Sequence, residues 1–527
     1  MRSTVIQGTD PTLSRREIIG VAKGAGFLAS GSVIEVASRF VIAFVLARSL
    51  TADDFGLYNL AISASAIIVG LASLGLDDAM VRYVAIQSDR RDEDGIAGTL
   101  QVGFAVSMAS SIVLGLVVFL AADWISEAVF NEAALSPLLR FFVIMVPLLT
   151  LSRTMLGAAR GFGRMDYAAI CENVIQSVVK TGLLALLLIR DIDLWAAVII
   201  FAIGDLSSSV AMTYLLNKQY SLTRSLSRTA RRESRELMGF ALPLWLSGIL
   251  NQFRRNVETL MLGALTAVSN VGIYAVVTRV NMISHIAYRA IIVSVKPALA
   301  RLHGRGDRLG LSNVYAATTR WAITLNMPFF LFMVLYPTAI LNVFGKRFTS
   351  ASTALVILAV SELIVAATGV CGSMIDMARH VRVKMFNSVA WITVQIGASA
   401  LLIPRWKVLG AAIAALVATS FVNLLRMAEV WYLDRLVPFG RDFWKPFVAG
   451  GAAYALGMLL RHVVPPHDAI GPSLLQGAIV STTFLALTVA LRIAPDDREI
   501  LHRIFRRLPA RVGRLLGLQP DKSPVDP

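Results

Sequence analysis

Charge and cysteine are both scarce in this chain of 527 residues. Only 16% of its residues are charged, against roughly a quarter in soluble domains. Its two cysteines, Cys171 and Cys371, each sit inside an apolar run, which gives neither a disulfide framework nor the spacing of a zinc site. A phosphate-binding loop is missing as well: "GRGD" at Gly304 to Asp307 lacks the lysine, strand and helix that such a loop requires. "DID" at Asp191 to Asp193 is a pair of acids in a short turn, with no nucleotide-binding domain beside it. Connections between apolar runs are short throughout, so no soluble catalytic domain is expected.

What the chain has is apolar residues, 56% of the total. Runs of about 20 such residues, enough to cross a hydrocarbon layer about 30 Å thick, occur about fourteen times. The expected fold is an all-α integral membrane protein. Its divisions are a cytoplasmic segment 1–20, six spans over 21–216, a linker 217–236, six spans over 237–433, two more over 446–491 and a basic tail 492–527. The formal charge of +16 fits this layout. Segments placed on one side by alternate crossings hold most of the lysines and arginines, and those on the other side hold few, the pattern that marks the cytoplasmic face. Both termini are therefore expected in the cytoplasm. The tail "REILHRIFRRLPARVGRLLG" suits an anionic membrane surface. Nucleic acid is not an expected partner, because no folded module would present the basic residues. The paired Arg15 and Arg16 precede a run that continues into a full-length span, so they read as an anchor holding that end inside rather than as a cleaved signal.

A repeat lies within the chain. A shift of 216 residues lays "FGLYNLA" (Phe55 to Ala61) over "VGIYAVV" (Val271 to Val277) and Arg39 over Arg255. Six spans separate the copies, so both halves enter the membrane in the same direction, which predicts two six-helix lobes related by an axis along the membrane normal, around a central cavity.

"LARSLTADDFGLYNLAISASAIIVGLASLGLDDAMVRYVA" resembles the N-terminal pattern of the polysaccharide biosynthesis, or O-antigen flippase, family within the multidrug, oligosaccharidyl-lipid and polysaccharide exporter superfamily. "ARGFGRMDY" (Ala159 to Tyr167) and "NVGIYAVVTRV" (Asn270 to Val280) are similar to later parts of it. The resemblance implies a flippase in a bacterial inner membrane, not an enzyme. Such a protein moves a polyprenyl-diphosphate-linked oligosaccharide between leaflets as the two lobes rock, with polysaccharide polymerases and glycosyltransferases as expected partners beside the membrane lipids.

Charges embedded in the spans are the candidate site. A charge at the bilayer centre costs at least ~2.5 to 3.5 kcal/mol, so it faces a partner or a watery cavity. Arg39 has Glu35 one turn away, Arg254 and Arg255 have Glu258, and Arg426 has Glu429, spacings that permit local ion pairs. Arg279, Asp205, Arg320 and Glu362 have no such neighbour. Glu172, Gln176 and Lys180 recur at four-residue spacing on the fifth span, and Asn281, His285 and Arg289 on the eighth, placing polar stripes on one face of each helix. Arg39, Arg255, Arg279, Arg289 and Lys180 are the expected ligands of an anionic headgroup, since guanidinium grips phosphate oxygens in pairs. Glu35, Glu172, Asp205, Glu258, His285, Arg320 and Glu362 are the polar lining. A coupling H+ or Na+ is compatible with these acids, and no cofactor is expected.

Two other functions compete. A multidrug exporter of the same superfamily would hold an acidic cavity for cationic drugs, which the embedded arginines disfavour. A membrane polymerase or ligase would need a large outer loop. The topology is directly testable: reporters inserted in the connection Asn217 to Met238 and fused at the C-terminus should both give cytoplasmic signals. An external signal from either would remove the two-lobe arrangement.

Overall fold

The computed structural model describes residues 34–187, 192–221, 234–377, 381–464 and 470–491. Arg15 and Arg16, Asp191, most of the basic connection, the basic tail and the side chain of Arg289 lie outside the described residues. Those described form helices and turns, with no strand among them. The helices that matter below are α1 (34–49), α2 (Ala52–Ala72), α3 (Leu76–Asp89), α4 (Glu93–Leu120), α5 (Leu135–Gly161), α6 (Met165–Leu187), α7 (Leu194–Gln219), α8 (Ser234–Leu265), α9 (Val268–Gly304) and α10 (Arg308–Leu335). They are followed by α11 (Ser352–Thr368), α12 (Cys371–Met377) and α13 (Val381–Asp434), which is broken at Lys407 where φ is 47°, and by α14 (Lys445–Val463) and α15 (Ile470–Ala490).

Eight helices among the described residues are long and apolar enough to cross a bilayer, and the chain is a multi-pass α-helical membrane protein. The lateral surface of α4 shows why. Ile112, Val113, Leu116, Val117 and Leu120 point outward, while Ser107 and Ser111 are buried. Ser107 hydrogen-bonds Thr154 of α5 at 2.7 Å, and Ser110 donates to the Ala72 carbonyl at 2.6 Å. Large apolar side chains face lipid, and small polar ones join helices where no water competes.

The chain divides into two packed units. One holds Met1–Arg279, Phe344–Ala351 and Ile392–Ala414; the other holds Val280–Val343, Ser352–Trp391 and Ala415–Pro527. The second unit has its own apolar core around Tyr315, Ile323, Leu335, Met374 and Phe484.

In the first unit, the break "TADD" is a helix start. Thr51 is extended and its hydroxyl accepts from the Asp54 amide at 3.1 Å, with Asp53 and Asp54 in the first turn. That arrangement satisfies an orphan amide and suits the positive end of α2. The whole of "FGLYNLA" that follows is buried. Its glycine explains the repeat in physical terms. A Cβ on Gly56 would collide with the Val268 carbonyl oxygen, and a Cβ on Gly272 would collide with the Ala52 carbonyl oxygen. The shift of 216 residues that relates Phe55 to Val271 also relates Gly56 to Gly272 and Ala52 to Val268. Each repeat copy therefore supplies the glycine for the other's backbone, and α2 and α9 cross with local two-fold symmetry.

Alanine at Gly56 should destabilise the solubilised protein by about 1 to 3 kcal/mol, as overpacking does elsewhere. Alanine at Gly182, which has open space around it, should be neutral or stabilise by up to about 1 kcal/mol. Thermal unfolding in detergent reads both, and equal melting of the two variants would remove the crossing as a constraint.

Candidate functional site

Ser38 of α1 hydrogen-bonds Thr181 of α6 at 2.6 Å and donates to the Ser177 carbonyl at 3.1 Å. The contact fixes α1 against α6 with Arg39 one residue further on. Arg39 pairs with Glu35 at 2.7 Å, one helical turn back, and half of its side chain remains exposed. The local ion pair expected from spacing is present, but it does not exhaust the arginine. Lys180, Arg279 and Glu172 all lie within its electrostatic reach.

Lys180 and Asp205, embedded charges on different spans in the sequence, are each other's partner. The ammonium meets the carboxylate at 2.8 Å, both groups are buried, and Gln176 donates to the same oxygen. The ammonium also lies 3.7 Å from the ring centre of Phe201. Gly204 makes room, since a Cβ there would strike the lysine stem. Glu172 occupies a π-helical turn, Ala169–Ile175, a local widening often found at functional positions. It lies in the field of Arg153 and Arg160 of α5 as well as Arg39 and Glu35.

Arg279 is half-buried, eleven residues from the start of α9. That is about 16 Å along the axis of a 37-residue helix. Arg39 and the Tyr58 hydroxyl both lie within its electrostatic surroundings. Tyr58 in turn lies in the fields of Arg279 and Asp205. No carboxylate among the described residues forms an ion pair with Arg279. One group on the first unit thus gathers Arg39, Arg279 and Lys180 with Glu35 and Asp205, and two of the three cations have acid partners.

The remaining candidates lie elsewhere. Arg254 and Arg255 are exposed on α8, while Glu258 accepts from Tyr274 at 2.6 Å and feels Arg254. On the second unit Glu362 gathers Asn281 at 3.3 Å and His285 at 3.2 Å, so the stripe on α9 ends on an acid of α11. Arg320 is half-buried on α10. Glu429 accepts from Asn387 at 2.7 Å, and Arg426 lies near Cys371 and Tyr288. At the start of α6, Arg164 holds Asp166 through two hydrogen bonds at 2.9 and 2.7 Å.

Sequence reasoning missed Arg153 and Arg160. Their spacing of seven puts them on one face of α5, a signal available in the sequence but hidden by the general excess of basic residues at helix ends. It also missed Phe201 and Gly204, whose roles arise only when α6 meets α7.

The Lys180–Asp205 pair gives a stability test. Lys180→Met alone leaves a buried carboxylate without its cation and should cost about 3 to 5 kcal/mol, whereas Lys180→Met with Asp205→Leu should return most of that loss. Thermal unfolding of the purified variants measures the difference; a double variant no better than the single would deny the pairing.

Two relatives come from Haloferax volcanii. "Probable flippase AglR" is 26% identical over 312 residues, 57% of this chain and 62% of the relative. "Probable low-salt glycan biosynthesis flippase Agl15" is 22% identical over 397 residues, 74% of this chain and 79% of the relative. The chain thus spans less than two thirds of the length of the first of these. Among solved structures, "Lipid II flippase MurJ, inward closed conformation" superposes with a TM-score of 0.69 at 12% identity, covering 91% of this chain and 99% of the other. At that identity the likeness concerns the fold. The model of the family described as "Polysaccharide biosynthesis protein" matches residues 21–303, more than half of the sequence, and the chain belongs to that family.

Proposed function

We propose that the protein is a flippase that moves a lipid-linked glycan from the cytoplasmic to the outer leaflet of a bacterial inner membrane by alternating access. Its substrate carries a polyprenyl diphosphate, it serves cell-surface polysaccharide assembly such as that of O-antigen, and both termini are cytoplasmic. The two lobes are the six-span segments 21–216 and 237–433. Polymerases and glycosyltransferases act before and after it. The family match and the names of the relatives support the transport of a glycan lipid.

One observation carries the assignment of the site. Arg279 lies within the electrostatic reach of Arg39, and no described carboxylate pairs with it. An anion that arrives and leaves can supply the missing charge without remaining as a permanent partner. Arg39 and Arg279 each present a planar fork that binds phosphate oxygens bidentately. Lys180 adds a point charge within reach of Arg39, already balanced by Asp205. Arg255 and Arg289 extend the same role to the second copy of the repeat. Glu172 and Glu258 on the first unit, and His285 and Glu362 on the second, are the groups able to take a coupling ion, H+ or Na+, and Arg320 adds polar lining to the second unit.

Arg279→Ala should reduce polymer export at least tenfold at unchanged protein level, the loss expected when a charged hydrogen bond of roughly 1.5 to 3 kcal/mol disappears. Glu35→Gln with Arg39→Met should insert and fold but fail in the same way, and lysine at position 39 should keep part of the activity, because the charge stays and the fork is lost. Normal export by both charge-free variants would make the arginines architectural.

A further inference from the structure

A second cationic site lies at the end of α1. The geometry points to a pocket that holds the phosphate of an anionic lipid where α1 leaves the hydrocarbon layer. Arg48, Phe344, Gly345, Lys346 and Arg347 line a cavity of about 380 Å³. All of them belong to the first unit. Three of these five residues are cations, and all three are exposed.

The pocket has a built floor and wall. Phe344 is almost wholly buried, held edge-on by Phe40 at 5.6 Å and Phe44 at 5.8 Å between ring centres. Arg48 lies over Phe44, 5.3 Å from its centre. Arg347 donates through Nη2 to the carbonyls of Ala47 and Leu50, satisfying two acceptors that the end of α1 would otherwise leave open. Its other guanidinium nitrogens remain available, and the Arg347 guanidinium rests 5.1 Å from the ring centre of Phe348.

The chemistry of this arrangement is amphiphilic. Aromatic carbon lies on one side and positive charge on the other, over the last turn of a helix whose preceding residues are apolar. A soluble anion would need only the charges. A lipid phosphate uses both, with its charged non-ester oxygens on Arg48, Lys346 and Arg347 and its first carbons on Phe344. Arg39 is nine residues away on the same helix, about 14 Å along its axis and half a turn around it, so this pocket is separate from the group around Arg279. The proposal goes beyond the transport role assigned above and stands on different residues.

Native mass spectrometry of the full-length protein in detergent, titrated with phosphatidylglycerol or phosphatidylcholine, tests it. The wild type should take up a first phosphatidylglycerol at least fivefold more tightly than phosphatidylcholine. Arg48→Gln with Lys346→Gln should abolish that preference without changing phosphatidylcholine uptake, and Lys346→Gln alone, a change at an exposed side chain, should weaken it in a protein that melts as the wild type does. Glu35→Gln with Arg39→Met should leave the preference intact, which separates this site from the transport site. Inorganic pyrophosphate added during the titration distinguishes the sources of the phosphate: displacement of the lipid identifies a site for the diphosphate of a carried lipid, and retention identifies a resident phospholipid. A preference for phosphatidylglycerol that survives the double variant, or none in the wild type, would overturn the proposal.

Discussion

A guanidinium inside a bilayer must be compensated, and the way this chain compensates its arginines determines how the site around α1, α6, α7 and α9 is arranged. Arg39 has Glu35 and Lys180 has Asp205, each at ion-pair distance. Arg279 has instead a second arginine and a tyrosine hydroxyl in its surroundings. Permanent partners would make the cluster stable and inert. A cation with no acid partner among the described residues leaves the group receptive to an anion, at a cost in stability.

The backbone contact between Gly56 and Gly272 makes this possible. Because neither position carries a Cβ, α2 and α9 approach to backbone distance, and the crossing fixes where Tyr58 and Arg279 fall. Ser38, Thr181 and Ser177 do the same for α1 against α6. In lipid, where no hydrophobic force drives helices together, small residues and short hydrogen bonds are what hold such positions.

Much of this was legible in the sequence, for local reasons. The membrane class follows from composition, and the Glu35–Arg39 pair from one helical turn. The repeat is visible because the crossing demands glycine at matched positions in both copies. The Lys180–Asp205 partnership was not legible, because the two residues lie on separate helices and only packing chooses their pairing. His285 and Asn281 meet Glu362 for the same reason, 77 and 81 residues apart in sequence. The arginines of α5 were hidden among basic residues that serve topology. Hydropathy locates a span but not the rotation that turns its polar face toward a particular neighbour.

The most direct measurement is transport by the purified chain. Proteoliposomes containing a fluorescent polyprenyl-diphosphate-linked oligosaccharide, quenched by a membrane-impermeant reductant, report how much of the lipid changes leaflet. The account predicts transfer that depends on the protein, falls at least tenfold when Arg279 and Arg39 are replaced by methionine together with Glu35→Gln, and is competed by inorganic pyrophosphate. Undiminished transfer by the charge-free variant, in a protein that melts as the wild type does, would contradict it.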